Sequence, residues 1–350
     1  MTLDNLGFDA WFAAHAPDCE DGRAFARVCA VDRGSWRVRG EAGEVPAELC
    51  GRLGHLTERA ADLPCVGDWV TVQYYDNDTA AIIQQLLPRK TFLRRKAAGE
   101  SAEQQMIAAN INTAFIVQSA HFDFNPNRLD RYLVMAADGR VEPIVLLTKT
   151  DLLTPEELQL RLHTVAALTT AQVIALSSVT GTGYDALRLA LVPGQTYCLL
   201  GSSGVGKTTI VNRLLGQDAF ATRTVSGTGE GTHTTTRRQL IVMESGALLV
   251  DTPGMRELGV FGAQIAVEQG FEEFSVLAKT CRYADCTHRH EPGCAVRDAI
   301  VRGDLREERY ANYTKLKKEA AFNEMSSLEK RKKDKAFGRF VKSVKKNMRD

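Results

Sequence analysis

The chain has 350 residues, a net charge of +1 and an ordinary globular composition, so two or three domains are expected at ~150 residues each. No apolar run reaches the ~18 residues of a membrane span, and the first residues lack the basic start and apolar core of a secretion signal. A membrane or exported protein is therefore not expected, and the eight cysteines are expected reduced in the cytoplasm. The balanced charge hides one bias: residues 329–350 carry ten Lys or Arg against three Asp or Glu.

Residues 1–22 read as an extension with a short helix around 8–15. From 23 the texture changes to short alternating segments at 23–31, 35–39, 45–49, 69–74 and 80–87, with turn residues between them. Five such strands suit a small β-barrel over 23–96, most simply of OB type, an architecture that commonly binds oligonucleotides. Trp36, Trp69, Tyr74 and Tyr75 either stack on bases at its surface or fill its core. The segment 89–96, Arg-Lys-Thr-Phe-Leu-Arg-Arg-Lys, is a basic connector that either touches phosphate or runs solvated.

From 97 to 278 the rhythm is that of an α/β domain. Strands at 111–118, 141–147 and 172–176 alternate with helices at 128–137, 155–170 and 184–191, which predicts a mostly parallel, doubly wound sheet. Ligands of such sheets sit at the carboxyl ends of the strands. Thr148, Lys149, Thr150 and Asp151 follow one strand. A carboxylate at Asp151 can accept from guanine N1–H and the 2-amino group. Adenine, with an acceptor at N1 and no 2-amino group, would leave it unpaired. Lys149 can lay its stem over the base, and backbone N–H groups around Ser177 and Ser178 can approach guanine O6.

The strand beginning at Tyr197 runs into Gly201, Ser202, Ser203, Gly204, Val205, Gly206, Lys207, Thr208 and Thr209. This is the spacing of the phosphate loop, followed by a helix to about Gly216. Its glycines let successive N–H groups converge on phosphate oxygens. Lys207 would reach the β- and γ-phosphates, and the Thr208 hydroxyl would face Mg²⁺. Further on, Asp251 ends an apolar strand and can hold the same Mg²⁺ through water, while the Gly254 N–H faces the γ-phosphate. The stretch 231–236, which includes His233 and Thr235, has the composition of a switch loop closing on both. The base-recognition segments precede the phosphate loop here, the reverse of the Ras-like order, so the domain reads as circularly permuted.

Cys281, Cys286, His288 and Cys294 follow in the spacing C-x4-C-x-H-x5-C. Three thiolates and an imidazole make a closed zinc site with no open position, hence a structural metal; His290 is a competing ligand. Residues beyond Asp304 read as helix, and the basic tail is either solvated or a nucleic-acid contact whose strength would fall steeply with salt.

Carried on these motifs, the chain resembles the RsgA family (also called YjeQ or EngC), permuted GTPases of small ribosomal subunit assembly, over nearly its whole length. The resemblance implies an OB-type barrel (23–96), a circularly permuted P-loop GTPase domain (97–278) and a mostly helical zinc-binding domain with a basic tail (279–350). It favours His288 as the metal ligand and offers His233 as a catalytic residue beside Lys207; a solvent-exposed loop histidine is the alternative. Met255 stands where Ras-type enzymes carry a water-orienting glutamine, so slow intrinsic hydrolysis is expected until an RNA or protein surface orders the loop. One departure is Thr148, where the family usually has asparagine. Threonine lacks the amide that bridges base and phosphate loop, so a weaker nucleotide grip is expected.

The expected whole is a cytoplasmic, monomeric GTPase with GTP or GDP, Mg²⁺ and one Zn²⁺. It binds the small (30S) ribosomal subunit and its rRNA, and hydrolyses GTP, stimulated by the subunit, late in assembly. Two rivals are an ATP-dependent P-loop enzyme and an RNA-binding module that uses nucleotide only as a structural ligand.

Overall fold

Small apolar residues at alternating positions, among them Ala26, Val28, Val38, Val70, Val72 and Ile83, form a buried cluster of their own. They set residues 24–86 as a closed barrel, because period-two burial leaves one face of each strand inside. The computed structural model describes residues 2–17, 22–32, 34–56, 60–96, 104–216, 238–251 and 264–324. Helix α1 (Ala10–His15) is capped by the Asp9 carboxylate. Then come β1 (Ala24–Asp32), β2 (Ser35–Gly40), β3 (Gly43–Leu49), α2 (Gly51–Leu56), β4 (Trp69–Tyr75) and β5 (Ala80–Leu86). Their order β1-β2-β3-β5-β4 closes by pairing of β4 with β1, with β3 and β5 parallel. That is the OB-type barrel. Trp36 and Trp69 are buried, with the Trp36 indole donating to the Pro64 carbonyl. Of the four aromatics considered, Tyr75 alone is exposed.

A short ribbon of β6 (Phe92–Lys96) and β7 (Gln104–Ala109) leads to β8 (Thr113–Ser119), α3 (Pro126–Asp138), β9 (Glu142–Thr148), α4 (Pro155–Ala166), β10 (Gln172–Ala175) and α5 (Tyr184–Leu189). The phosphate-loop strand β11 (Thr196–Leu200), α6 (Lys207–Leu215), β12 (Arg238–Val242) and β13 (Leu248–Asp251) complete the GTPase sheet, ordered β10-β9-β8-β11-β13-β12. All its neighbours are parallel except β12. Every residue of β8 is buried, as a central parallel strand covered on both faces requires. Helix α3 supplies Leu129, Tyr132 and Met135 to one face; α5 and α6 supply Leu187, Ile210 and Val211 to the other.

The barrel and the GTPase sheet are continuous. Residues 24–27 of β1 pair with β4. A register shift between Val28 and Ala30 then turns Ala30 and Val31 onto β12, so eleven strands form one sheet. Arg27, 1% exposed, sits at this junction and donates to the Gly67, Leu6 and Asn110 carbonyls and the Thr196 hydroxyl. Barrel and GTPase sheet accordingly share one compact unit, Met1–Arg94 with Gln105–Leu258.

Several charges of the basic connector are paired within the chain. Arg89 binds the fully buried Asp68 carboxylate and two carbonyls. Lys90 pairs with Asp9 and Arg94 with Asp138. Arg89 and Arg94 are thus paired where a half-buried cation needs a partner, and Lys90 is paired at the surface.

The second unit, Arg95–Gln104 with Gly259–Asp350, is helical over α7 (Gln264–Gly270), α8 (Glu272–Ala278), α9 (Ala295–Arg302) and α10 (Glu307–Glu324). Phe274 stacks on Tyr313 with ring centroids 4.7 Å apart. Among the described residues no helix is long and apolar enough to cross a membrane. The basic stretch 329–350 lies outside them.

Candidate nucleotide site and metal centre

The carboxyl ends of β9, β8, β11 and β13 lie side by side because those strands are parallel neighbours, which brings most of the candidate residues together. Gly201 leaves β11 where a Cβ would stand 2.4 Å from the Val117 carbonyl; only glycine fits. Gly206 turns the loop into α6 at φ +102°, a conformation that glycine adopts without strain. Ser202, Ser203, Gly204 and Val205 lie between them, and Thr208 and Thr209 occupy the first turn of α6. Lys207 folds back across the loop, donating to the Gly201 carbonyl at 2.8 Å and the Ser202 carbonyl at 2.5 Å. Burial pulls its pKa down to about 8, against the attraction of Asp251. Burial likewise raises the Asp251 carboxyl, opposed by Lys207. Lys207 and Asp251 therefore lie in each other's field in a desolvated setting.

The base-recognition segment joins this loop directly. Thr148, buried at the end of β9, donates its hydroxyl to the Val205 carbonyl at 2.6 Å. The hydroxyl thus reaches the phosphate loop, while threonine still has no amide to offer a base. Thr150 donates to the Leu176 carbonyl at 3.0 Å, fastening the segment to the end of β10. Asp151 accepts from Ser177 at 2.6 Å, so the loops that follow β9 and β10 are tied at this carboxylate. The Ser177 hydroxyl also accepts from Val179 N and Thr180 N. Ser178 meets the Tyr184 hydroxyl at 2.7 Å.

Two contributors escaped the sequence reading. Arg213 on α6 donates to the Ser178 carbonyl at 2.6 Å and lies over the Tyr184 ring, linking the phosphate-loop helix to the second base loop. Asp123, just after β8, accepts from the Ser202 hydroxyl at 2.7 Å and pairs with Arg128. Scrutiny of the residues after every parallel strand would have reached Asp123; the position of Arg213 has no local signal. His233, Thr235 and Gly254, with Met255, lie outside the described residues.

In the second unit the ligand atoms of Cys281, Cys286, His288 and Cys294 all lie within 4.8 Å of one another. His288 Nδ1 stands 3.5 Å from Cys281 Sγ and 3.4 Å from Cys294 Sγ. A tetrahedral zinc with the usual bond lengths gives N···S edges of about 3.5 Å, so the donor set fits the metal. His290 is not in this group. The Glu291 carboxylate accepts from the Thr287 hydroxyl and from the Thr287, Arg289 and His290 N–H groups, curling the loop. The Thr287 hydroxyl is the largest cause that holds its pKa far down, with backbone N–H groups adding to it. Tyr310 of α10 donates to the His288 carbonyl at 2.7 Å.

Comparison with known proteins decides the family. The sequence model of the RsgA GTPase family matches residues 86–261. The protein called small ribosomal subunit biogenesis GTPase RsgA in Opitutus terrae is 41% identical over 333 residues, 92% of this chain and 90% of the relative. The chain belongs to the RsgA GTPase family. Another member, RsgA 2 of Lactiplantibacillus plantarum, is 42% identical over 343 residues, 97% of this chain and 96% of its own. The crystal structure of YjeQ from Thermotoga maritima superposes with a TM-score of 0.62 at 26% identity, covering 85% of this chain and 98% of that one. That of YloQ, described as a circularly permuted GTPase, gives 0.59 at 22% identity, covering 89% and 100%. As an RsgA-family member the chain is a GTP hydrolase that binds guanine nucleotide, and the chain order of β9, β10 and β11 is that of the permuted fold.

Proposed function

We propose that this RsgA-family chain hydrolyses GTP to GDP and phosphate in the late assembly of the small ribosomal subunit, that it binds the subunit through rRNA, and that the subunit stimulates turnover. The observation that carries the guanine reading is the Asp151 carboxylate, tied by Ser177 and set on the loop that Thr148 fastens to Val205. The assembly role rests on the relatives, whose names are those of small-subunit biogenesis GTPases.

In this reading Asp151 accepts from guanine N1–H and the 2-amino group, Lys149 covers the base, and Ser177 and Ser178 border O6. The N–H groups from Gly201 to Thr209 and the Lys207 ammonium take the phosphates. Thr208 and Asp251 would hold Mg²⁺, whose charge offsets that of the phosphates when bound. Thr235 and Gly254 close on the γ-phosphate, and His233 orients the attacking water. Cys281, Cys286, His288 and Cys294 would hold one structural Zn²⁺. The barrel over 23–96 and the basic tail contact rRNA.

Competition of GTP and ATP for the purified protein, with and without Asp151→Asn, tests the base reading. The expected result is a strong GTP preference that the substitution abolishes; a preference for ATP in the unsubstituted protein would overturn it.

A further inference from the structure

The connection between β8 and α3 carries an aromatic side chain that the core does not use. Phe122 is 68% exposed; its ring meets the His121 ring edge-on and has the Lys149 ammonium 4.6 Å from its centroid. The tip that holds it is fixed on its other side. Asp123 accepts from Ser202 of the phosphate loop at 2.7 Å and takes a two-pronged pair from Arg128 at 2.8 Å. Asn125 caps α3. Burial pushes the Asp123 carboxyl up, but Arg128 and Ser202 outweigh it and keep the pKa below its ordinary value. Lys149 itself has a left-handed backbone, φ +60°, an uncommon state for a side-chain-bearing residue.

We propose that Phe122 is a positioning residue of the nucleotide site: its ring holds the Lys149 ammonium so that the lysine stem is laid out as a platform for the guanine ring before nucleotide arrives. The inference rests on the guanine reading above. A free lysine has a flexible four-carbon stem and must be ordered on binding. A cation held over an aromatic face has part of that ordering done in advance. Because Lys149 is two residues from Asp151, the effect belongs to the base and not to the phosphates. GDP and GTP should feel it equally, and the chemical step should not.

Phe122 is exposed, so its variants are expected to fold, and a thermal melt checks this. Affinity for fluorescent methylanthraniloyl-GDP and -GTP, together with steady-state GTP turnover, is measured on the full chain. Phe122→Ala should weaken both nucleotides by roughly three- to tenfold, raise KM in proportion and leave kcat unchanged. Phe122→Tyr and Phe122→Trp should restore affinity and Phe122→Leu should not, since an aliphatic side chain of similar bulk has no π-face. In a Lys149→Ala background, Phe122→Ala should have no further effect. Wild-type affinity in Phe122→Ala, rescue by Leu equal to that by Tyr, or an undiminished effect without Lys149 would each overturn the inference while leaving the guanine reading in place. An unsubstituted chain that binds no guanine nucleotide would overturn both.

Discussion

Thr148 Oγ1 and the Val205 carbonyl, 57 residues apart in sequence, form a 2.6 Å hydrogen bond that ties the loop after β9, proposed to read the base, to the phosphate loop. The pair lies in the buried seam between the two loops, where an unmade hydrogen bond costs most. Thr148→Val keeps the shape and deletes the donor. It is expected to weaken GDP and GTP by roughly tenfold, whereas Thr148→Ser, which keeps the hydroxyl, should stay within about twofold. Equilibrium titration with labelled nucleotide checks this.

The lowered pKa of Lys207 predicts a pH dependence. In the nucleotide-free protein it titrates at about 8 because of burial; phosphates bound against it would raise that value. A group whose pKa is higher in the bound state gives its full contribution below the free value and loses it as pH rises through the bound value. Nucleotide affinity should therefore be flat from pH 6.5 to 7.5 and fall above pH 8, by up to about tenfold per pH unit. Calorimetry in buffers of different ionisation heat should find proton uptake on binding at pH 8.5 and none from this group at pH 6.5.

Arg27 offers a test of how barrel and GTPase sheet cohere. Its guanidinium is fully buried, satisfies four acceptors, and has its pKa pulled down to about 10 by that burial, against the pull of Asp68. Arg27→Met would leave those acceptors without their donor, at a cost of about 3 kcal/mol or more. Thermal unfolding should shift down by roughly 6 °C or more, with the barrel and the GTPase sheet melting in one transition.

Much of this was legible in the sequence because its signals are local. The expected strands at 35–39 and 69–74 are β2 and β4 within one residue at each end, and the helix expected at 155–170 starts at Pro155 behind a Thr154–Glu157 capping box. The phosphate loop and the order of its companion motifs are written in short spacings. What could not be read depends on partners far along the chain. Nothing near Arg89 or Arg94 announces Asp68 or Asp138, 21 and 44 residues away. The bulge after Val28 gives no sign that β1 will leave the barrel for β12, more than 200 residues on. Nothing near Phe122 marks it either, because its partner, Lys149, lies beyond an entire helix and strand.

The metal centre yields a separate test. The purified chain should carry close to one zinc. Cys294→Ser should lose it together with helical signal from the second unit, since Cys294 both joins the cluster and caps α9. Nucleotide binding by the other unit should persist. Elemental analysis and circular dichroism check the first point, and labelled GDP the second.

The most direct measurement is GTP turnover by the purified chain, alone and with purified small ribosomal subunits, over a range of salt. The account predicts slow hydrolysis alone, a large rise with subunits, and loss of that rise as salt screens the rRNA contact. Equal turnover with and without subunits, at low salt and with guanine nucleotide bound, would contradict it.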